Sequence, residues 1–369
     1  MRVLHVTSHL NVGGIGTYIS TLARAQVRQG HQVVVASGGG ALEASLEADG
    51  VLPWAVDLRV KSELHPKVWQ AAGQLHRWLR QTPVDVIHAH TRVAQVAAAV
   101  VSRRARVPYV TTCHGFFRPH LGRRLCPCWG RIAIAISRPV ETHLVRDLHV
   151  PASRVRLVPT GIDLARTARQ VTPEEREPWQ RALAPAPGDR FAVVMTRLVP
   201  SKGVELFLRA LAEAARLVPS LRGVIIGDGA ERHRLEQRAQ QLGLSRRVLF
   251  AGAVEDPVPL LSCCDLFVFP ATGMEGLGLS ILEAMALGLP VVATQIGGVT
   301  DAVEHGYSGF LVPPGDVPAL VERLRQLVED RPLATRLGMA ARVVIADRYS
   351  MERMAEQVDA VYQEAVSRP

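Results

Sequence analysis

Two carboxylates eight residues apart, Glu275 and Glu283, belong to the stretch Phe269-Pro270-Ala271-Thr272-Gly273-Met274-Glu275-Gly276-Leu277-Gly278-Leu279-Ser280-Ile281-Leu282-Glu283. Helix propensity explains Glu283, about one turn into a helix expected to begin near Leu279, but not an acidic residue inside a glycine loop. Gly276 and Gly278, on either side of Leu277, lack the side chains that would keep backbone N–H groups from a ligand. A ligand with hydroxyl-bearing portions at two ends and phosphates between them suits this pattern. Cations for those phosphates stand in Thr196-Arg197-Leu198-Val199-Pro200-Ser201-Lys202-Gly203, where Arg197 and Lys202 bracket the start of a helix. Two positive side chains and free backbone donors can converge there on a diphosphate. Read alone, the same stretch is an exposed basic loop.

A second glycine loop lies near the start, Asn11-Val12-Gly13-Gly14-Ile15-Gly16-Thr17-Tyr18. Glycines at a strand-to-helix turn let the backbone approach an anion at the positive end of a helix. A dinucleotide fingerprint needs a third glycine where Ile19 stands, and an acidic residue at the end of the second strand. That strand ends instead in Val35-Ala36-Ser37-Gly38. Gly227-Asp228-Gly229 lacks the third glycine as well. The pattern favours a phosphate or substrate loop over a nicotinamide site. Gly297-Gly298-Val299-Thr300-Asp301 and the run from Gly306 to Pro314 read as turns flanking a late strand.

His88 and His90 alternate at the end of a strand and so share a face. Two such ligands without a nearby third are an ordinary structural or substrate-facing pair. Cys113, His114, Cys126 and Cys128 do not have the spacing of zinc knuckles, and no metal site is expected.

Short Val- and Ile-rich runs alternating with longer amphipathic stretches must position these groups, a rhythm that signals parallel βαβ units. Strands are expected at Val3–Thr7, Gln32–Ala36, Val84–His88, Tyr109–Thr112, Ile132–Ile136 and Val155–Val158. After a break the rhythm resumes at Phe191–Thr196, Gly223–Ile226, Val248–Phe250, Asp265–Phe269, Val291–Thr294 and Gly309–Val312. The break, 167–190, holds Pro173, Glu174, Glu175, Glu177, Pro185, Pro187 and Gly188, and reads as a joint between domains at 1–166 and 191–350. A helix over the tail, 351–369, is expected to pack back on the first domain. Two doubly wound α/β domains facing a central cleft follow, with the carboxyl ends of both sheets opening toward it.

The chain's 369 residues fit two domains, and 48% hydrophobic residues suffice for two cores, which excludes wholesale disorder. No apolar run approaches the ~18 residues of a membrane span, and the first residues read as a strand rather than a signal peptide. Five cysteines in a chain this long make no disulfide scaffold. These features point to a cytoplasmic protein. The net charge of +9 is uneven: residues 1–170 carry 22 Lys and Arg against 9 Asp and Glu, a balance of +13. The remainder is mildly acidic, so different partners are expected for the two halves.

Taken together, these stretches resemble the retaining glycosyltransferases of family 4, which have the GT-B fold. The resemblance rests on Gly13-Gly14-Ile15-Gly16, the Arg197–Gly203 segment, Glu275 and Glu283 as an E-x7-E pair, and the ending Leu311–Pro314. Asp301 departs from it, standing where the family usually has Glu. The resemblance implies transfer of a sugar from a nucleotide diphosphate donor to a hydroxyl acceptor, without a required metal or other cofactor. It implies Arg197 and Lys202 as the diphosphate clamp, with Gly276, Leu277 and Gly278 beside it. Glu283 is implied as the ribose ligand and Glu275 as the contact to the donor sugar. Gly14 and Gly16 are implied as a loop over the phosphates, and His114 as the active-site histidine.

The acceptor is expected to be a saccharide or a lipid-linked sugar of lipopolysaccharide, exopolysaccharide or glycolipid synthesis. The segment from Phe116 through Trp129 to Arg131 interleaves apolar groups with arginines, and Lys67, Trp69, Arg77, Trp78 and Arg80 form a second such stretch. Both suit peripheral attachment to an anionic membrane or recognition of a lipid-linked acceptor, and both also read as ordinary solvated surface. No nucleic-acid module is recognisable. A sugar-nucleotide epimerase of the same plan, or a binding protein without turnover, are the alternative readings.

Overall fold

The computed structural model describes residues 1–118 and 121–367, and these divide into two compact units. The first comprises Met1–Gly161 and Ser350–Pro369, the second Ile162–Tyr349.

The first unit is built on seven strands: β1 (Arg2–Val6), β2 (Gln32–Ser37), β3 (Leu52–Ala55), β4 (Val86–Ala89), β5 (Tyr109–Cys113), β6 (Ile132–Ala135) and β7 (Val155–Leu157). Their order is β3-β2-β1-β4-β5-β6-β7, with parallel pairing throughout. Helices on both faces bury the strands, which is why they read as continuous apolar runs. One face packs Leu4, Val6 and Ile87 against Val68, Leu75 and Val101 of two helices. β3 was not expected from the sequence. It contains Pro53, which cannot donate to a ladder, and it is tolerated because β3 lies at the edge of the sheet.

The second unit repeats the plan with β8 (Arg190–Met195), β9 (Leu221–Ile226), β10 (Val248–Gly252), β11 (Leu266–Phe269), β12 (Val291–Thr294) and β13 (Gly309–Val312). The order is β10-β9-β8-β11-β12-β13, again parallel. In both sheets the winding direction reverses once, between β1 and β4 and between β8 and β11. Ligands of such sheets bind beyond the carboxyl ends of the strands at that switch point.

Two boundaries differ from the expected ones. The chain leaves the first unit at Gly161, not near Thr167, and 167–190 belongs to the second unit. Pro173 does not interrupt structure there: it occupies the first turn of the helix Pro173–Leu183, where no N–H partner is lost. Thr172 and Glu175 close a capping box on that helix, and Arg169 ties it to the unit by pairing with both Glu175 and Asp256. At the other end, the helix Met351–Ser367 belongs to the first unit, burying Met354, Val358 and Tyr362. Among the described residues, no helix is long and apolar enough to cross a membrane.

Candidate active site

Two loops of the second unit leave β8 and β11, adjacent strands on either side of the switch point. The first runs from Thr196 to Gly203 and leads into the helix Val204–Leu217. Leu198 is fully buried and pins it; its N–H donates to the Asp228 carbonyl at 2.9 Å, and its own carbonyl accepts from Glu231 N–H at 3.0 Å. A Cβ at Gly227 would stand 1.9 Å from the Thr196 carbonyl oxygen, and one at Gly229 2.4 Å from that of Leu198. The Gly227-Asp228-Gly229 turn is therefore a close-packed support for this loop.

Pro200–Lys202 makes one 3-10 turn and Gly203 takes a left-handed φ of 67°. A Cβ on Gly203 would meet the Pro270 carbonyl oxygen at 1.9 Å. The Ser201 carbonyl accepts from the N–H groups of Thr272 and Gly273 at 2.9 and 3.0 Å. The two loops are thus stitched backbone to backbone, and the stitch brings Lys202 Nζ to 2.5 Å from Glu275 Oε1. Both side chains are mostly buried, at 15% and 16% exposure. Arg197 stands exposed at the head of the same loop, without an ion pair to another described residue.

Glu275 is held from behind as well. Its carbonyl accepts from Gly298 N–H at 2.9 Å, and a Cβ on Gly297, at φ 45°, would lie 2.1 Å from that oxygen. The Thr294 hydroxyl, at the end of β12, donates to the Ala271 carbonyl at 2.6 Å. The glycine pair Gly297-Gly298, which the sequence offers only as a turn, positions the carboxylate. Gly276 is half-buried, Leu277 is buried, and Gly278, at φ 87°, starts the helix Leu279–Ala286. Glu283 lies on that helix, and burial pushes its carboxyl up to about 7. Asp256 adds to the rise, while Arg166, on the short helix Leu164–Thr167 packed alongside, opposes it. Arg166 carried no signal in the sequence.

Gly14, Gly16 and His114 belong to the first unit. Gly14 opens the helix Gly14–Arg28, and a Cβ there would meet no described residue within 4 Å. Gly16 differs, because a Cβ would lie 2.1 Å from the Asn11 carbonyl oxygen. His114 follows β5 at the carboxyl end of the sheet, with the Tyr18 ring edge-on at 4.7 Å.

Behind His114 lies a cluster that the sequence did not disclose. His5 of β1 joins His88 and His90, giving the pair the third member it lacked, with one ring nitrogen of each within 4.8 Å of the other two. His5 Nδ1 is 2.9 Å from His90 Nε2, and His90 Nδ1 is 3.3 Å from His114 Nε2. His5 Nε2 meets Gln26 Oε1 at 2.8 Å. His88 lies between the Tyr362 hydroxyl and the Thr112 hydroxyl, at 2.7 Å from each. Burial drives all four imidazoles toward the neutral form, His5 down to about 4 and His114 to about 3. His88 and His90 fall well below the usual value, mutual repulsion adding to burial. The cysteines stand apart from this cluster. Cys113 is buried with its thiol donating to the Gly115 carbonyl, and the Cys126–Cys128 turn is held by Arg92, which also pairs with Glu63.

Of the basic, aromatic segment after His114, Pro119 and His120 lie outside the described residues. Arg123 sits over the rings of Phe117 and Trp129, each 5.0 Å from the guanidinium carbon. Arg123, Arg124, Trp129, His149 and Arg154 line a cavity of about 380 Å³. In the second basic stretch Trp78 stacks on Trp54, whereas Trp69 is 51% exposed.

The two units each match a family model: residues 12–166 match "Glycosyltransferase Family 4" and residues 175–344 "Glycosyl transferases group 1". An uncharacterized glycosyltransferase of Methanocaldococcus jannaschii is 26% identical, over 96% of this chain and 95% of its own length. The Escherichia coli UDP-Gal:alpha-D-GlcNAc-diphosphoundecaprenol alpha-1,3-galactosyltransferase is 26% identical, over 78% of this chain and 77% of its own. The crystal structure of Anabaena HepE in complex with UDP and glucose superposes with a TM-score of 0.86 at 25% identity, covering 99% of this chain and all of that one. Two doubly wound parallel sheets, loops braced at a switch point and these likenesses agree: the chain belongs to the family 4 glycosyltransferases and has the GT-B fold.

Proposed function

We propose that the protein transfers a sugar, with retained configuration and without a metal, from a nucleoside diphosphate donor to a hydroxyl of a saccharide or lipid-linked acceptor. The observation that carries this reading is the Lys202–Glu275 pair, a cation and a carboxylate held together by two loops at the switch point of the second sheet. In this reading Lys202 and Arg197 take the diphosphate. Glu275 accepts from hydroxyls of the donor sugar, Glu283 from the ribose. Backbone N–H groups along Gly276, Leu277 and Gly278 face the phosphate end. Gly14 and Gly16 supply a loop from the first unit, and His114 a contact to the donor sugar.

As the sugar C1–O bond breaks, its electron pair passes to the diphosphate, and two cations at that oxygen lower the barrier. The acceptor oxygen bonds to C1 from the same face, and its proton passes to the departing phosphate oxygen. Glu275, engaged with Lys202, orients the sugar and is not the attacking group. Each ~1.4 kcal/mol of stabilisation lost slows transfer about tenfold.

The acceptor reading extends to lipid-linked sugars of a surface polysaccharide, lipopolysaccharide or glycolipid, used at the cytoplasmic face of a membrane. It is supported by the galactosyltransferase relative, whose name specifies a diphosphoundecaprenol-linked acceptor. The arginine-lined cavity of the first unit and exposed Trp69 and Phe117 suit an anionic lipid surface. The test is release of nucleoside diphosphate from UDP-, GDP- and ADP-sugars, with and without extracted glycolipid. Slow release from one donor, accelerated by one acceptor, is expected. Release accompanied by conversion of the donor to its epimer, with no acceptor effect, would overturn the transferase reading. Absence of binding to anionic vesicles at low salt would overturn the membrane part alone.

A further inference from the structure

We propose that Gln26 is a positioning residue that fixes the tautomer of His114 through His5 and His90, leaving His114 Nδ1 as a hydrogen-bond acceptor. The proposal rests on the reading of His114 as a donor-sugar contact only for its functional consequence.

Three contacts lie in series, the first two buried and the third part-buried. Gln26 Oε1 meets His5 Nε2 at 2.8 Å, His5 Nδ1 meets His90 Nε2 at 2.9 Å, and His90 Nδ1 meets His114 Nε2 at 3.3 Å. In a contact between two ring nitrogens only one can carry the proton, and a neutral imidazole carries one proton in all. Choosing the proton at one end therefore chooses it at every link. Gln26 makes the choice because its amide oxygen can only accept: His5 must be protonated at Nε2, so its Nδ1 accepts from His90 Nε2. His90 Nδ1 then accepts from His114 Nε2, and His114 Nδ1 holds the remaining lone pair.

Gln26 Nε2 donates to the Tyr362 hydroxyl at 3.3 Å, whose own proton goes to His88 Nδ1 at 2.7 Å. His88 Nε2 then donates to the Thr112 hydroxyl at 2.7 Å. Two branches diverge from one amide, and both are consistent in every donor and acceptor. His5, Gln26, His88 and Tyr362 are fully buried, as His90 is nearly, so water does not compete for these protons. His114 alone of the four histidines is half-buried, and the chain of protons ends at the member a ligand can reach. Desolvation favours the neutral rings, one proton on each. A cation held by His5, His88 and His90 would have to displace protons already committed to these bonds.

The test is imidazole 15N NMR on the full-length protein at neutral pH, with His114 assigned from its loss in His114→Gln. In the wild type, His5, His90 and His114 are expected as Nε2–H tautomers. Gln26→Leu removes the acceptor, and His114 is expected to become a mixture, with kcat reduced at least about tenfold and donor KM little changed. Gln26→Glu still accepts from His5 Nε2 and is expected to restore the wild-type tautomer of His114. An Nδ1–H tautomer for His114 in the wild type would overturn the proposal without any variant having to fold. So would an unchanged His114 tautomer in Gln26→Leu, or a stoichiometric metal on His5, His88 and His90. Full turnover in His114→Gln would instead sink the donor-sugar reading while leaving the tautomer result standing.

Discussion

Lys202 Nζ and Glu275 Oε1 meet at 2.5 Å although 73 residues separate them, because one carbonyl, that of Ser201, holds both of their loops. A pair built this way is set before any ligand arrives. Lys202→Met is expected to leave Glu275 mostly buried without its cation, destabilising the protein by about 1–3 kcal/mol. Nucleoside diphosphate binding should weaken as well. Adding Glu275→Gln should recover much of the stability but none of the turnover. Thermal unfolding and calorimetric titration with UDP on the two single variants and the double variant check this. Additive losses of stability would contradict the pairing.

Glu275→Gln alone separates binding from chemistry. Its charge is assigned to the donor sugar rather than to the phosphates, so turnover should fall about tenfold or more while UDP affinity holds. Unaltered kcat would remove Glu275 from the site.

The Glu283 carboxyl, at about 7 against an ordinary 4.5, gives a sign to pH. Its folded-state value is raised, so the folded protein holds the extra proton. The stability it contributes is complete below about 4.5 and is lost as pH rises through 7. Ribose hydroxyls donate to a carboxylate better than to a carboxylic acid, so donor affinity should move oppositely and improve as pH rises through 7. A nucleoside diphosphate-sugar suits this titration because its diphosphate is esterified at both ends and keeps its charge. Glu283→Gln should flatten both profiles; an affinity slope that survives this substitution would place its origin elsewhere.

The histidine cluster acts at the other end of the scale. Imidazoles kept neutral by burial, with His5 near 4 and His114 near 3 against an ordinary 6.5, bind protons more readily once the chain unfolds. Stability should fall as pH drops below about 6.5, by roughly 1.4 kcal/mol per pH unit for each such group. Denaturant midpoints between neutral pH and pH about 5 measure the slope. His5→Gln should reduce it, and an unchanged slope would mean that His5 is not the source.

The glycines differ in kind. Gly297→Ala places a methyl against the Glu275 carbonyl at a left-handed backbone, so turnover should collapse along with local stability. Gly14→Ala meets no neighbour among the described residues, so a loss of activity at unchanged Tm would mark a ligand approaching that helix end. Gly16→Ala, crowding the Asn11 carbonyl, should lower both Tm and activity.

Much of the fold was legible because parallel strands buried on both faces leave unbroken apolar runs, and Glu275 and Glu283 were legible because they share one local stretch. What escaped notice was non-local or disguised. β3 contains a proline that only its edge position permits, and Pro173 imitates a linker while starting a helix. Gly297-Gly298 and Gly227-Asp228-Gly229 look like idle turns until the carbonyls they press against are known. The histidine pair acquires its third member from β1 and its tyrosine from the last helix, 83 and 274 residues from His88.

That last helix has a consequence for how the protein is made. The second unit, Ile162–Tyr349, is one continuous stretch, whereas the first is interrupted and finished only by residues after Tyr349. Emerging from a ribosome, the second unit has all it needs to fold while the earlier half still lacks the surface that Met354, Val358 and Tyr362 cover. The amide of Gln26 waits for Tyr362, made 336 residues later. The first unit is thus completed after the second, and a chain truncated after Tyr349 should expose its unfinished core to protease while the second unit resists.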